Sequence, residues 1–203
     1  MLDGWARASL DPFLGWLGGR LAKTGMSANA VTIAACATGL VAAAAIAAKL
    51  YMLGLFLLLL SRLGDGLDGA LARIRGKTDL GGYLDIVLDF VFYGAIPLGF
   101  VIADPQANAV AGAVLIFSFY VNGASFLAYS IIAEKRKMET SVRGEKSIFF
   151  TAGLAEATET IAVFVAFCLF PAWFPQIAYT FAAVCFYTAA SRIVLAGRTF
   201  RSG

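Results

Sequence analysis

In the stretches Asp65-Gly66-Leu67-Asp68-Gly69-Ala70-Leu71-Ala72-Arg73 and Gly81-Gly82-Tyr83-Leu84-Asp85-Ile86-Val87-Leu88-Asp89, four carboxylates sit inside segments apolar enough to cross a membrane. A carboxylate at the bilayer centre costs roughly 2.5–3.5 kcal/mol even on the lenient insertion scale. Four facing lipid would cost on the order of 10 kcal/mol, enough to defeat insertion. They have to face inward, onto cations or water. Residues three or four apart share a helix face, so Asp65 points with Asp68 and Asp85 with Asp89. Between the pairs the chain passes through the basic segment Arg73-Ile74-Arg75-Gly76-Lys77. A turn there lets two antiparallel helices bring both acidic faces together. The simplest object this builds is a four-carboxylate metal site within a helical membrane protein.

Composition supports that class. Hydrophobic residues make up 60% of the 203-residue chain and charged residues 14%, with a mean hydropathy of +0.80; all are far from soluble averages. Cys36, Cys168 and Cys185 stand singly with no CxxC spacing, so neither a disulfide framework nor a zinc site is indicated. The chain has no histidine. Imidazole acid–base chemistry and the usual imidazole ligands for zinc and copper are thereby excluded. Carboxylates and hard, oxygen-loving cations remain.

Six apolar spans of about 20 residues, the length a hydrocarbon core requires, fall at roughly 28–48, 51–75, 80–103, 107–133, 147–170 and 175–196. The second is apolar only in its first half and from Arg62 onward is expected to run to the membrane boundary. Residues 1–24 differ: Leu2, Trp5, Leu10, Phe13, Leu14, Leu17 and Leu21 alternate with Arg7, Asp11, Arg20 and Lys23, as in an interfacial amphipathic helix. Pro12 is expected to break or kink it. The expected architecture is all-α: an interfacial segment at 1–24, then a six-transmembrane-helix catalytic domain at 25–203. Of the sixteen Lys and Arg, only Lys49 falls in a far-side loop. The positive-inside rule then places both termini and both charged loops in the cytoplasm, and the acidic cluster opens toward them. Trp173 in the short far-side segment Pro171–Pro175 suits an interface anchor.

The two acidic stretches closely resemble the signature of the CDP-alcohol phosphotransferase family, D-x2-D-G-x2-A-R-x8-G-x3-D-x3-D. Every fixed letter is present; the departure is one residue fewer between Arg73 and Gly81, confined to the turn. Ser27-Ala28-Asn29-Ala30-Val31-Thr32 is similar to the family's T-P-N-x-(hydrophobic)-T entry, without the proline. With six spans and a preceding interfacial helix, the resemblance covers essentially the whole chain. It implies an integral membrane phosphotransferase of phospholipid synthesis, in which an alcohol hydroxyl displaces CMP from a CDP-linked lipid such as CDP-diacylglycerol. It also implies two divalent cations, Mg²⁺ or Mn²⁺, held by Asp65, Asp68, Asp85 and Asp89. Asp89 would double as the general base. Asn29, Thr32, Asp68, Gly69, Ala72 and Arg73 would bind the nucleotide. The expected setting is a bacterial or archaeal inner or plasma membrane, with membrane lipids and a second copy of the chain as partners and no nucleic acid. Physics makes the residue types intelligible: two divalent ions invert the local charge so that a diphosphate can approach, and small residues at Gly69 and Ala72 leave it room. For the homodimer, the residues themselves offer only the small-residue run Ala42–Ala45.

The acceptor, a small alcohol or a lipid alcohol, stays open. Family resemblance suggests that basic residues near the last three spans line its pocket, with Arg143 and Arg192 first and Lys135 after them. The alternative for each is contact with anionic head groups. Glu156 and Glu159 share a helix face and either shape that pocket or pair with Arg143 or Arg192. Phe90 stands directly after the fourth aspartate, where many relatives carry a basic residue. Two other functions compete: a cation- or proton-coupled transporter, which lacks an acidic path to the other face, and an inactive lipid-binding scaffold, against which the intact acidic positions argue. Pairing of the aspartates with Arg62, Arg73 or Arg75 is the purely structural alternative.

Overall fold

The computed structural model describes residues 2–136 and 155–201, and among them there are helices and no strand. In chain order these are α1 (Leu2–Ala22), α2 (Ala28–Ala47), α3 (Tyr51–Arg75), α4 (Asp79–Ala103), α5 (Pro105–Lys135), α6 (Ala157–Leu169) and α7 (Phe174–Phe200), with a 3₁₀ turn at Pro171–Trp173 before the last. Local chemistry sets the boundaries. Ser27 caps α2 by accepting from the Ala30 N–H at 3.2 Å, and Thr78 caps α4 by accepting from the Gly81 N–H at 3.0 Å, each satisfying an otherwise orphaned donor. Asp104 caps α5, with Pro105 in the first turn where its missing N–H does no harm. Gly76 ends α3 at φ +99°, a conformation that side chains rarely adopt. Pro12 lies inside α1 without ending it.

Among the described residues, four helices are long and apolar enough to span a bilayer: α2, α4, α5 and the segment Pro171–Phe200 that includes α7. The sequence predicts six such spans, and two differ for identifiable reasons. Helix α3 has the length, 25 residues, but Arg62, Asp65, Asp68, Arg73 and Arg75 crowd its second half. Helix α6 is only 13 residues long, and residues 147–154 of the expected fifth span lie outside the described residues. Phe56, Leu98, Ile102, Val110 and Phe117 are exposed on these helices. An apolar surface of that extent suits hydrocarbon rather than water.

Helix α2 packs against both α3 and α4, α1 lies on α3, and α5 pairs with α7. The core is largely aromatic: Phe92, Phe100, Phe164, Phe167 and Phe174 are fully buried, and Phe100 stacks on Phe174 at 5.0 Å between centroids. Small residues let the site helices approach. A Cβ on Gly99 would lie 2.6 Å from the Ala43 carbonyl oxygen, and one on Gly39 would lie 2.5 Å from Phe92. The Gly99→Ala variant is therefore expected to force α4 off α2 and to destabilise the protein by about 1–3 kcal/mol, the usual range for overpacking; thermal unfolding in detergent measures it. The same contacts account for the small-residue run on α2. Ala42, Ala43 and Ala45 are buried within the protomer, while Ala44 of the same run is exposed.

Candidate active site

The acidic residues come from two antiparallel helices joined by only Gly76, Lys77 and Thr78. Asp65 and Asp68 lie ten and seven residues before the end of α3, and Asp85 and Asp89 a similar distance into α4. At 1.5 Å of rise per residue all four sit roughly 10–15 Å above the turn. Asp65, Asp68 and Asp85 converge, each placing one carboxylate oxygen within 4.8 Å of the others'. Asp68 is buried, Asp65 half-buried and Asp85 exposed, so the cluster has one open side. The buried Oδ2 of Asp68 has no hydrogen-bond partner. An orphaned, buried carboxylate oxygen next to two further carboxylates fits a hard divalent cation, and the all-oxygen donor set suits Mg²⁺, Mn²⁺ or Ca²⁺.

Asp89 is not part of this trio. Its Oδ1 accepts a 2.7 Å hydrogen bond from Nη1 of Arg62, and the same nitrogen lies 3.5 Å from Oδ1 of Asp65. The Arg62 side chain is only 9% exposed. Its guanidinium lies over the Phe92 ring, 3.7 Å from the centroid, and Nη2 donates to Ser61 Oγ at 3.3 Å. Ser61 in turn donates to the Ala35 carbonyl at 2.7 Å. The pairing of aspartates with arginine thus holds for two of the four, through Arg62. The sequence named Arg62 only as a structural partner of the aspartates, and its spacing of three from Asp65 puts both on one helix face.

The residues expected around a nucleotide fall nearby. Thr32 is buried on α2 and lies beside Asp68. Asn29 faces Gly81: a Cβ there would lie 3.1 Å from Asn29 Oδ1. Around Gly69 there is room, since the atom nearest to a Cβ added there would be Arg73 Nη1 at 4.0 Å. Ala72 follows one turn further along α3. Arg73 Nη2 lies 3.4 Å from Asp11 of α1 in an exposed pair. Arg75 ties down the other end of α1, donating to the carbonyls of Ala22 at 2.7 Å and Gly25 at 3.1 Å. Leu14, Leu17 and Leu21 pack α1 onto α3, and a Cβ on Gly66 would lie 2.9 Å from Leu14. The amino-terminal helix therefore backs the helix that carries Asp65 and Asp68.

Arg192 of α7 is half-buried and bound to α5. Its Nη1 donates to the Asn122 carbonyl and Oδ1, each at 3.0 Å, and to Ser125 Oγ at 2.7 Å. Phe90, next to Asp89, packs its ring against Gly123, the neighbour of Asn122. Arg192 is thereby linked to the α4 face through α5. Lys135 is exposed at the end of α5, and Arg143 lies outside the described residues. Glu156 is the residue before α6, and Glu159 lies in its first turn.

Among the described residues the protein is helical throughout, with apolar helices and a carboxylate cluster set into α3 and α4. The chain is a member of the CDP-alcohol phosphatidyltransferase family, whose model matches residues 26–194. It is 43% identical over 193 residues to the inner membrane protein YnjF of Escherichia coli (strain K12), an alignment covering 95% of this chain and 94% of that one. Its fold is similar to the crystal structure of the phosphatidylinositol phosphate synthase of Mycobacterium tuberculosis with CDP-DAG bound. The TM-score is 0.70 at 19% identity, covering 89% of this chain and 91% of the other. Family membership and the apolar helices make this an integral membrane phosphatidyltransferase that uses a CDP-linked lipid, and the transporter alternative is not favoured.

Proposed function

We propose that the chain transfers the phosphatidyl group of a CDP-diacylglycerol-like donor to an alcohol at the Asp65–Asp68–Asp85 cluster, with Asp89 as general base. The observation that carries this is the convergence of three carboxylates around a buried, unpartnered Asp68 oxygen, one helical turn from a fourth on α4. Asp65, Asp68, Asp85 and Asp89 would hold two divalent ions, Mg²⁺ or Mn²⁺. When bound, such ions neutralise the diphosphate and acidify the attacking hydroxyl. The acceptor oxygen forms a bond to the lipid-side phosphorus, the bond from that phosphorus to the CMP oxygen breaks, and Asp89 takes the hydroxyl proton. CMP leaves carrying the electron pair of the broken bond. Open space at Gly69 and the small side chain at Ala72 admit the nucleotide. Asn29, Thr32, Asp68 and Arg73 line its path.

The same proposal includes six spans, with α3 and α6 joining the four apolar helices, and an interfacial role for residues 1–24. It places the site at the cytoplasmic face of a bacterial or archaeal membrane, with Lys135, Arg143 and Arg192 toward the acceptor. It also includes a homodimer. The test is CMP release from CDP-diacylglycerol by purified protein with Mg²⁺ or Mn²⁺. Acceptors to offer are glycerol 3-phosphate, inositol phosphate, inositol, serine and phosphatidylglycerol. Release stimulated by one acceptor is the expected result and names the product lipid. No release with any of them, despite divalent-ion binding, would sink the reading in favour of a lipid-binding scaffold.

A further inference from the structure

We propose that Arg62 is a positioning residue: a cation built into the acidic cluster that reserves one oxygen of Asp89 and sets how tightly the cluster holds divalent ions. Arg62 sits where two demands meet. Its Nη1 reaches both Asp89 Oδ1, at 2.7 Å, and Asp65 Oδ1, at 3.5 Å, and so bridges the acidic faces of α4 and α3. Three features hold it in place: the Phe92 ring beneath it at 3.7 Å, the Ser61 hydroxyl at 3.3 Å, and burial that leaves the side chain 9% exposed. A long charged side chain on an exposed face would have many rotamers; this one is clamped. Phe92 is itself fully buried, so the ring beneath the guanidinium is fixed by the core.

Two consequences follow from charge and geometry. A fixed positive charge among carboxylates opposes a second positive ion at the same oxygens. Arg62 therefore weakens divalent binding at the Asp65–Asp89 side, while the Asp65–Asp68–Asp85 trio is left to gather around the orphaned Asp68 oxygen. With Oδ1 committed to Arg62, Asp89 presents its other oxygen, and the carboxylate is held in one orientation rather than drawn into the trio. The chain thus supplies from α3 a cation next to the fourth aspartate, where position 90, the next residue on α4, is a phenylalanine packed against Gly123.

The role of Asp89 as base rests on the function proposed above, but the test of Arg62 does not depend on turnover. Chelator-stripped wild type, Arg62→Gln and Arg62→Lys are titrated with Mn²⁺ and followed by electron paramagnetic resonance. Glutamine removes the charge and keeps a donor, and it is expected to bind Mn²⁺ at least about tenfold more tightly, because the opposing charge within ~4 Å is gone. Lysine keeps the charge and is expected to stay within about threefold of wild type, although it lacks the planar fork. A residue that only holds the helices together predicts the opposite sign, since a loosened site binds metal less well. Unchanged or weaker Mn²⁺ binding in Arg62→Gln overturns the proposal. A shift of more than about tenfold in Arg62→Lys overturns it independently, should the glutamine variant not fold. Where the wild type releases CMP, Arg62→Gln is expected to lower kcat about a hundredfold, as misplacement of a reacting group does, with KM for the donor within about threefold. A rise in KM alone would remove the link to Asp89. If the wild type releases no CMP, the functional reading fails and the Mn²⁺ titration still decides the role of Arg62.

Discussion

The Asp89→Asn variant is expected to fold, to bind CDP-lipid, and to release CMP at least about 10²–10⁴ times more slowly than wild type, the range associated with loss of a positioned general base. Asparagine keeps the shape and one acceptor oxygen, so the 2.7 Å contact with Arg62 can survive. What is lost is the capacity to take a proton. The chain has no histidine, and the other carboxylates of the site are the trio gathered around Asp68. That leaves Asp89 as the carboxylate set apart from the cluster. Folding is read from thermal unfolding and donor binding from displacement of a fluorescent CDP-lipid. Full turnover by a folded Asp89→Asn protein would remove Asp89 as base and turn attention to a metal-activated hydroxyl.

Removal of divalent ions is expected to have an effect as large. Four carboxylates with one arginine carry net negative charge, and a diphosphate would be repelled by them. Ions that invert this charge contribute several kcal/mol in the transition state, which at about 1.4 kcal/mol per tenfold is a loss of a thousandfold or more on chelation. Mg²⁺ or Mn²⁺ should restore activity, whereas Na⁺ should not. Asp68→Asn is the matching substitution. Its oxygen Oδ2 is buried and unpartnered, so the amide would place a neutral donor where a cation is expected. Mn²⁺ affinity and CMP release should fall together. Turnover that survives exhaustive chelation would eliminate the two-ion mechanism, whatever the acidic cluster does for the fold.

Much of this was legible in one dimension because helices impose short-range order. Asp65 with Asp68, and Asp85 with Asp89, share faces by periodicity alone, and a three-residue turn makes their helices antiparallel neighbours. The apolar content established a membrane protein before any contact was known. Ser27, Thr78 and Asp104 announce helix starts through local capping chemistry that needs no distant partner. The eight signature residues, with one residue missing only from the turn, pointed to the family to which the chain belongs.

What spacing could not reveal depends on contacts between residues far apart in the chain. Arg62 and Asp89 are 27 residues apart, and no periodicity on α3 says that its arginine reaches across to α4. The split of four aspartates into a trio and a fourth held by arginine follows from that reach. The small residues of α2 offer, in the sequence, weak support for a face toward a second copy. Close approach of Gly99 and Gly54 to the carbonyls of Ala43 and Ala42 gives those two a place in the interior, which only the packing reveals. Arg192 reads as a cation near the acceptor, and only the packing shows that its Nη1 is bound to Asn122 and Ser125, some 70 residues earlier. Periodicity along one helix determines which side chains share a face. Only the packing of helices against one another determines what that face meets, because the energies that decide it come from groups the local chain does not contain.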